Sequence, residues 1–414
     1  MNFDCDALVI GAGPAGTACA ILLAQAGWRV VIVEQHAYPR RKVCGECIAA
    51  GNLELLDRLG IGPDFRRTAG PELRRIGWMG ASSTSTADMP PCTGGPYGYG
   101  RAIGRDWLDA RLLQQAASLG VVPLQPARAR TVSGELGNYE CIIDRSSGGL
   151  RTVRTPVVVD AHGSWERGPA FSTNDGAGMA RIPRRSSELL AFKANFRNTA
   201  LAPGFLPVLV LPGGYGGMVV ADGGLTTLAC CLRRDALPAC RALLPHASAG
   251  EAVEAFLRRS CAGVDDALRG ARREGGWLSA GPLRPGIRVG PVGGVFRVGN
   301  AAGESHALIG EGISMALQSS ALLASMLTRT PSADIGGRFG IELHRAYAAA
   351  WRRAFAPRLR LAALYAHTAM RPRLAEPARA LLRRWPTLLR SAAELAGKAA
   401  SAAALGPLTT TETA

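Results

Sequence analysis

No apolar run in the 414 residues reaches bilayer-spanning length; the nearest, around 312 to 327, carries Ser and Gln. Aromatic residues supply only 6% of the chain and do not interleave with the basic ones. The stacking platforms of single-stranded nucleic-acid binding are therefore missing, and nucleic acid is not an expected partner. The six histidines show no ligand spacing, so no metal site is expected. The ten cysteines are scattered and form no disulfide framework. The first segment, MNFDCDALVIGAG, passes from acidic residues into an apolar run of only a few residues, a buried strand rather than an exported segment. A reducing cytoplasm is the expected compartment, with most cysteines acting as small hydrophobes. Acidic residues are also scarce: 32 Asp and Glu face 48 Lys and Arg, a formal charge of +16. That imbalance favours nucleotides, phosphorylated substrates, acyl carriers or acidic membrane surfaces without choosing among them.

What is present begins with a turn. Ala7 to Ile10 is a short apolar run ending in Gly11-Ala12-Gly13-Pro14-Ala15-Gly16, followed by a helix-forming stretch from Thr17 to Ala26. A second apolar run, Trp28 to Val33, ends at Glu34. Strand, glycine turn, helix, strand and terminal acid stand in the order of a dinucleotide site. Gly11 permits the turn, Gly13 lets the backbone approach a pyrophosphate, and Gly16 lets helix and strand pack closely. The helix N-terminus offers unpaired N–H groups to phosphate, and Glu34 stands where a carboxylate meets a ribose diol. The turn alone does not separate flavin from nicotinamide dinucleotides.

Further along, Ile103 to Asp109 leads into a helix, residues 126 to 156 read as a small antiparallel ribbon, and Val157-Val158-Val159-Asp160 is a strand followed by Ala161-His162-Gly163. From Leu189 to Arg234 apolar residues alternate between glycine turns, the pattern of an antiparallel sheet. Val295 to Val298 then enters Gly299-Asn300, and Gly310-Glu311-Gly312 opens a helix through about Leu327. The expected fold is α/β. A Rossmann-like nucleotide domain occupies 1–185 and returns at 286–330, an antiparallel-sheet substrate lobe is inserted at 186–285, and a helical Arg-rich region fills 331–414. Pro357, Pro372, Pro377 and Pro386 are expected to break that last region.

The series GAGPAG, IGRDWLD, VVVDAHGS and RVGNAAGESHALIGEGISMALQSSALL resembles the FAD-dependent oxidoreductases of the para-hydroxybenzoate hydroxylase superfamily over about residues 4 to 330. The wording KVCGE and GEGI is most similar to the geranylgeranyl reductase-like branch and its monooxygenase and halogenase relatives. The resemblance implies FAD held at Gly11, Gly13, Pro14, Ala15, Gly16, Glu34 and Gln35, with Lys42, Cys44, Arg105, Asp160 and Gly163 around it. Gly299, Asn300, Gly310, Gly312 and Ile313 would complete the cofactor site. Asn300 replaces an Asp of the family, and Ala307 replaces a proline. No second dinucleotide fingerprint is present, so NAD(P)H is expected as a transient electron donor, or a separate reductase feeds the flavin.

Cys44, Glu46 and His306 are the candidate catalytic groups. The spacing of Cys44 and Cys47 allows a redox pair or half a metal site, but nothing else in the chain supplies an exchange mechanism or further ligands, and the resemblance places Cys44 and Glu46 in the flavin-side loop with Cys47 as packing. A pocket between the flavin domain and the sheet lobe is expected, with Phe192, Phe196, Leu206 and Met218 either lining it or serving as plain sheet core. The activity expected first is monooxygenation of an aromatic or long apolar molecule in secondary metabolism. The alternative is reduction of carbon–carbon double bonds, and phenol-type halogenation is a lesser one. The Arg-rich tail reads either as a basic amphipathic surface for an acidic membrane or carrier, or as a helical cover with its arginines in solvent.

Overall fold

Four-residue aliphatic runs without polar alternation need cover on both faces, which a parallel sheet provides. In the computed structural model, which describes residues 3–146, 148–166, 168–171, 185–290, 294–385 and 387–397, Ala7–Ile10, Val30–Val33 and Val157–Asp160 are buried along their whole length. With Phe296–Arg297 and Val122–Leu124 at the edges they form a five-stranded sheet, all pairs parallel. Ile10 is in register with Val33 and Asp160, so Gly11, Glu34 and Ala161 emerge together at one edge. Helix Pro14–Gln25 starts there. It lies tight against the turn, since a Cβ on Gly16 would stand 1.9 Å from the Gly11 carbonyl oxygen. Helix Gly312–Leu327 packs beside it, and the Ser320 hydroxyl donates to the Ala15 carbonyl at 2.6 Å.

The ribbon is found as Ala127–Glu135, Asn138–Arg145 and Leu150–Thr155, paired antiparallel. The inserted lobe is a larger sheet. Its order is Arg272–Arg273, Leu189–Arg197, Thr226–Arg233, Gly214–Val220, Phe205–Leu211, Arg75–Met79 and Thr84–Asp88, with Leu278–Leu283 also paired to Leu189–Arg197. Two of these strands come from residues 75–88, outside the expected span of the lobe. Arg75–Met79 runs parallel to Phe205–Leu211, a pairing across more than a hundred residues that no local pattern announces.

Alternation sorts the strand Leu189–Arg197 into two faces. Phe192, Ala194 and Phe196 pack against helices Ala249–Ser260 and Ala262–Leu268. Phe192 and Phe196 are thus core of the outer layer and do not line a pocket, whereas Leu206 and Met218 do. The pair Leu243-Leu244, too short to classify by pattern, is the end and C-cap of helix Leu237–Leu243.

The tail also departs from expectation. Helix Gly337–Ala369 runs unbroken through Pro357, and Pro377 sits inside Pro372–Arg384. Both prolines are exposed, so the carbonyls they leave unpaired face water rather than a dry core. Pro372 occupies the first turn, where the missing N–H costs nothing; Pro386 lies outside the described residues. The long helix buries Tyr347, Trp351 and Phe355 against the nucleotide domain, then Ala366 and Ala369 against the large sheet.

One buried charge pair fastens the two bodies. Glu46, 2% exposed, accepts from the Lys193 ammonium, the Thr227 hydroxyl and, at 3.1 Å, the Arg105 amide. Asn195 donates to Thr227 at 2.9 Å behind it. Lys193 is 1% exposed, so removing it strands a buried carboxylate. Lys193→Ala is expected to lower the unfolding free energy by about 3–5 kcal/mol in denaturant titration, and Lys193→Met with Glu46→Gln to recover at least half of the loss. Equal loss in the single and double variants would show that the stranded carboxylate is not the cause of the loss.

Candidate functional site

Everything expected at the cofactor converges on the sheet edge where Ile10, Val33 and Asp160 end. A single cavity of about 720 Å³ begins there and extends beneath the large sheet to the C-terminal helices. Gly11, Gly13, Pro14, Ala15, Glu34, Gln35, Lys42, Cys44, Glu46, Arg105, Gly163, Asn300, Gly310, Gly312 and Ile313 line it. Gly16, Asp160 and Gly299 do not; they hold up its wall. Asp160 is fully buried and lies 2.6 Å from His162 Nδ1, with Arg297 Nε 3.6 Å away. Gly299 packs so closely on the first helix that a Cβ would stand 2.7 Å from Ala15 Cβ, and its amide donates to Ser319 at 2.9 Å.

The residues fit FAD on three counts. First, helix Pro14–Gln25 has no side-chain N-cap, so its first N–H groups face the cavity uncapped, a site for pyrophosphate. Second, cations gather opposite it. Arg105 NH2 is the nearest atom, at 3.6 Å, to a Cβ built on Gly13. Arg105 is held from behind by Asp109 through two bonds of 2.7 Å. Burial, with Arg105 and Arg40 beside it, pushes the Lys42 ammonium below its usual range, the mark of a cationic pocket suited to an anion. Third, glycines with no side-chain cover face open space: a Cβ on Gly45 or Gly312 would meet nothing within 4 Å, and one on Gly163 only Lys42 Nζ at 4.0 Å.

Glu34, the acid expected to meet a ribose, lines the cavity at the end of the second strand. Its carboxylate accepts from the amides of Ala12 and His36, each at 2.9 Å, which fixes it at the strand end. Gln35 donates to Glu166, which also meets Arg40 at 3.2 Å and Lys42 at 3.9 Å. Asn300 donates to Ser164 at 2.6 Å, tying the two loops that flank the cradle.

The three catalytic candidates fall into different places. Glu46 is engaged on both oxygens by the partners described above, and its backbone has φ of 60°, so its part is to shape the loop. His306 sits behind the wall. Its Nδ1 lies 3.0 Å from the Tyr215 hydroxyl, and His367 stacks edge-on with ring centroids 5.7 Å apart. Burial, and then His367, push His306 down to about 4, so it is neutral near pH 7. Cys44 alone is a half-buried group on the wall itself. Its Sγ accepts from the Glu46 amide at 3.3 Å, while Cys47 Sγ turns to the Gly45 carbonyl at 3.3 Å.

Beyond Cys44 the lining becomes apolar: Trp78, Leu206, Val208, Met218, Tyr365 and Leu389. The last two come from the tail, which therefore covers the structure and also completes the cavity. Sequence reasoning missed Lys193, Thr227, Asp109, Tyr215 and the tail residues. A lone lysine in LLAFKANF and an acid one turn after Arg105 were the available signals.

Residues 4–169 match the family model described as FAD binding domain. The chain is 28% identical to the menaquinone reductase of Mycolicibacterium smegmatis over 386 residues, 88% of this chain and 85% of that one. Among solved structures, the myxobacterial chondrochloren halogenase, described as a variant of FAD-dependent halogenases, superposes with a TM-score of 0.73 at 20% identity and 96% coverage of both chains. A geranylgeranyl bacteriochlorophyll reductase-like protein from Thermoplasma acidophilum gives 0.68 at 17% identity, covering 94% of this chain and 99% of that one. At those identities the superpositions speak to the fold alone. With the glycine turn, the cationic cradle and the acid at the end of the second strand joined to these likenesses, the chain is an FAD-dependent oxidoreductase with an FAD binding domain over residues 4–169.

Proposed function

We propose that the protein is an FAD-dependent reductase of carbon–carbon double bonds in a long, apolar, isoprenoid-type substrate. The observation that carries this reading is the continuous cavity, cationic at the cradle and apolar from Cys44 to the C-terminal helices. A compact polar aromatic would leave most of that apolar length unfilled. The similarity to a menaquinone reductase over most of both chains supports reduction better than the hydroxylation expected first from the sequence.

FAD, when bound and reduced by NAD(P)H or a partner reductase, supplies a hydride. The chain's own residues do the rest. The apolar wall holds the substrate chain and excludes water from it. Cys44 Sγ–H carries the proton for the second carbon, and the thiolate left behind is reprotonated from solvent. Glu46, fixed by Lys193 and Thr227, holds that sulfur in place through its amide.

The test is anaerobic turnover of a menaquinone or geranylgeranyl lipid with NAD(P)H or dithionite, followed by mass analysis. A product heavier by two hydrogens is expected. A strict oxygen requirement with an added oxygen atom, or halide incorporation, would overturn the reading in favour of the oxygenase or halogenase relatives.

Two variants sharpen it. Cys44→Ala is expected to lower kcat at least about 10²-fold with FAD content unchanged, because the acid is lost, while Cys47→Ser stays near the parent value. Equal losses in both, with a reducible disulfide, would remove Cys44 from this role. His306 gives a stability signature. Its folded value of about 4 lies below the ordinary 6.5, so the unfolded chain takes up a proton that the folded site refuses. Stability therefore falls as pH drops from 6.5 toward 4, and His306→Gln is expected to flatten that slope in denaturant melts at intermediate pH. An unchanged slope would assign the acid sensitivity to other groups.

A further inference from the structure

We infer that the C-terminal helices are a docking surface for an anionic lipid bilayer, and that the cavity opens into it so that substrate enters sideways from the membrane. The entrance rests on the proposed reading of an apolar lipid substrate; the docking surface stands on its own observations.

Six of the thirteen large apolar side chains exposed among the described residues lie between 364 and 395. Scattered exposed leucines need no explanation, but a cluster does. Leu364, Leu381, Leu388 and Leu395 are 61%, 46%, 38% and 64% exposed and at the same time line the cavity, so they form its rim. Leu374, Ala378 and Leu381 follow one stripe of helix Pro372–Arg384 at intervals of four and three residues, and Trp385 is that helix's C-cap. Leu374 and Trp385, 47% and 52% exposed, carry that stripe past the cavity onto open surface.

Charge selects the occupant. Residues 371–395 carry six arginines and two glutamates. The glutamates are both used, Glu376 by Arg379 at 2.7 Å and Glu394 by Arg390 at 3.4 Å. Arg371, Arg373, Arg383 and Arg384 are exposed and make no ion pair among the described residues. Apolar rim and unmatched cations on the same short helices fit a leaflet whose headgroups are anionic and whose interior accepts leucine and tryptophan. Among the described residues no helix is long and apolar enough to cross a membrane, so the proposed contact is made by surface helices.

The experiment uses the FAD-loaded full chain and no substrate, so it is independent of the reductase reading. Sedimentation with vesicles of phosphatidylcholine containing about 30% phosphatidylglycerol should capture the protein at least about tenfold better than pure phosphatidylcholine, and the difference should shrink in high salt. Arg383→Glu with Arg384→Glu, and separately Leu374→Ser with Trp385→Ser, should each lower capture about tenfold with FAD content and thermal melting unchanged. These four residues do not line the cavity, so turnover of detergent-dispersed substrate should persist while turnover of vesicle-embedded substrate falls. Equal capture by both vesicle types, no capture, self-association in place of capture, or capture that appears only after removal of 398–414 would overturn the inference. Capture without any reductase activity would leave the docking surface standing and sink the reductase reading instead.

Discussion

The site depends on a buried carboxylate. Glu46 holds a loop that has no regular structure of its own, in a backbone conformation that costs about 1–3 kcal/mol for a residue with a Cβ. It persists because the carboxylate receives an ammonium, a hydroxyl and a backbone amide at once. Hydrogen bonds to a charged group contribute about 1.5–3 kcal/mol each, enough to offset the strain. The three donors come from two bodies: Lys193 and Thr227 from the large sheet, Arg105 from the helix beside the cradle. One side chain thereby fixes the distance between the cofactor end of the cavity and its apolar end, with Cys44 at the join.

The cavity's two ends follow opposite electrostatic rules. At the cradle, Arg105, Lys42 and Arg40 crowd together with Glu166 and Asp109 as the acids held near them, an environment that suits the phosphates of a dinucleotide. Past the loop, tyrosine and cysteine replace charge, and burial raises Tyr215 and Cys231 well above their usual ranges so both stay neutral. On the proposed reading, a dinucleotide and a hydrocarbon chain would occupy these two environments in succession, within one continuous cavity.

What the sequence made legible is what neighbours in sequence encode. The glycine turn, the acid at the end of the second strand, the aliphatic runs and the ribbon each declare themselves within a few residues, and they stand where expected. Arg75–Met79 was hidden because its partner strand is far along the chain and the pairing is parallel. Lys193 was hidden because its meaning lies in Glu46, 147 residues away. Phe192 and Phe196 stood open between cavity lining and sheet core because alternation reveals that a strand has two sides, not which one meets the cavity. Pro357 was read as a break because exposure, which lets water serve the orphaned carbonyl, is not visible in composition.

The fold hosts reductases and halogenases alike, so function has to be argued from the cavity and not from the superposition. Oxygen chemistry demands that water be kept from the reacting centre. Here the far end of the cavity is rimmed by four leucines that are substantially exposed, a poor seal while the protein stands alone in water. Hydride and proton transfer to a double bond is less exacting, because water at the mouth does not consume the reductant. A bilayer laid across the same rim would seal it and, on the proposed reading, present a hydrocarbon substrate in one act. The exposed leucines, which would be a defect in a free-standing oxygenase, would on the proposed reading be the natural termination of a site fed from lipid.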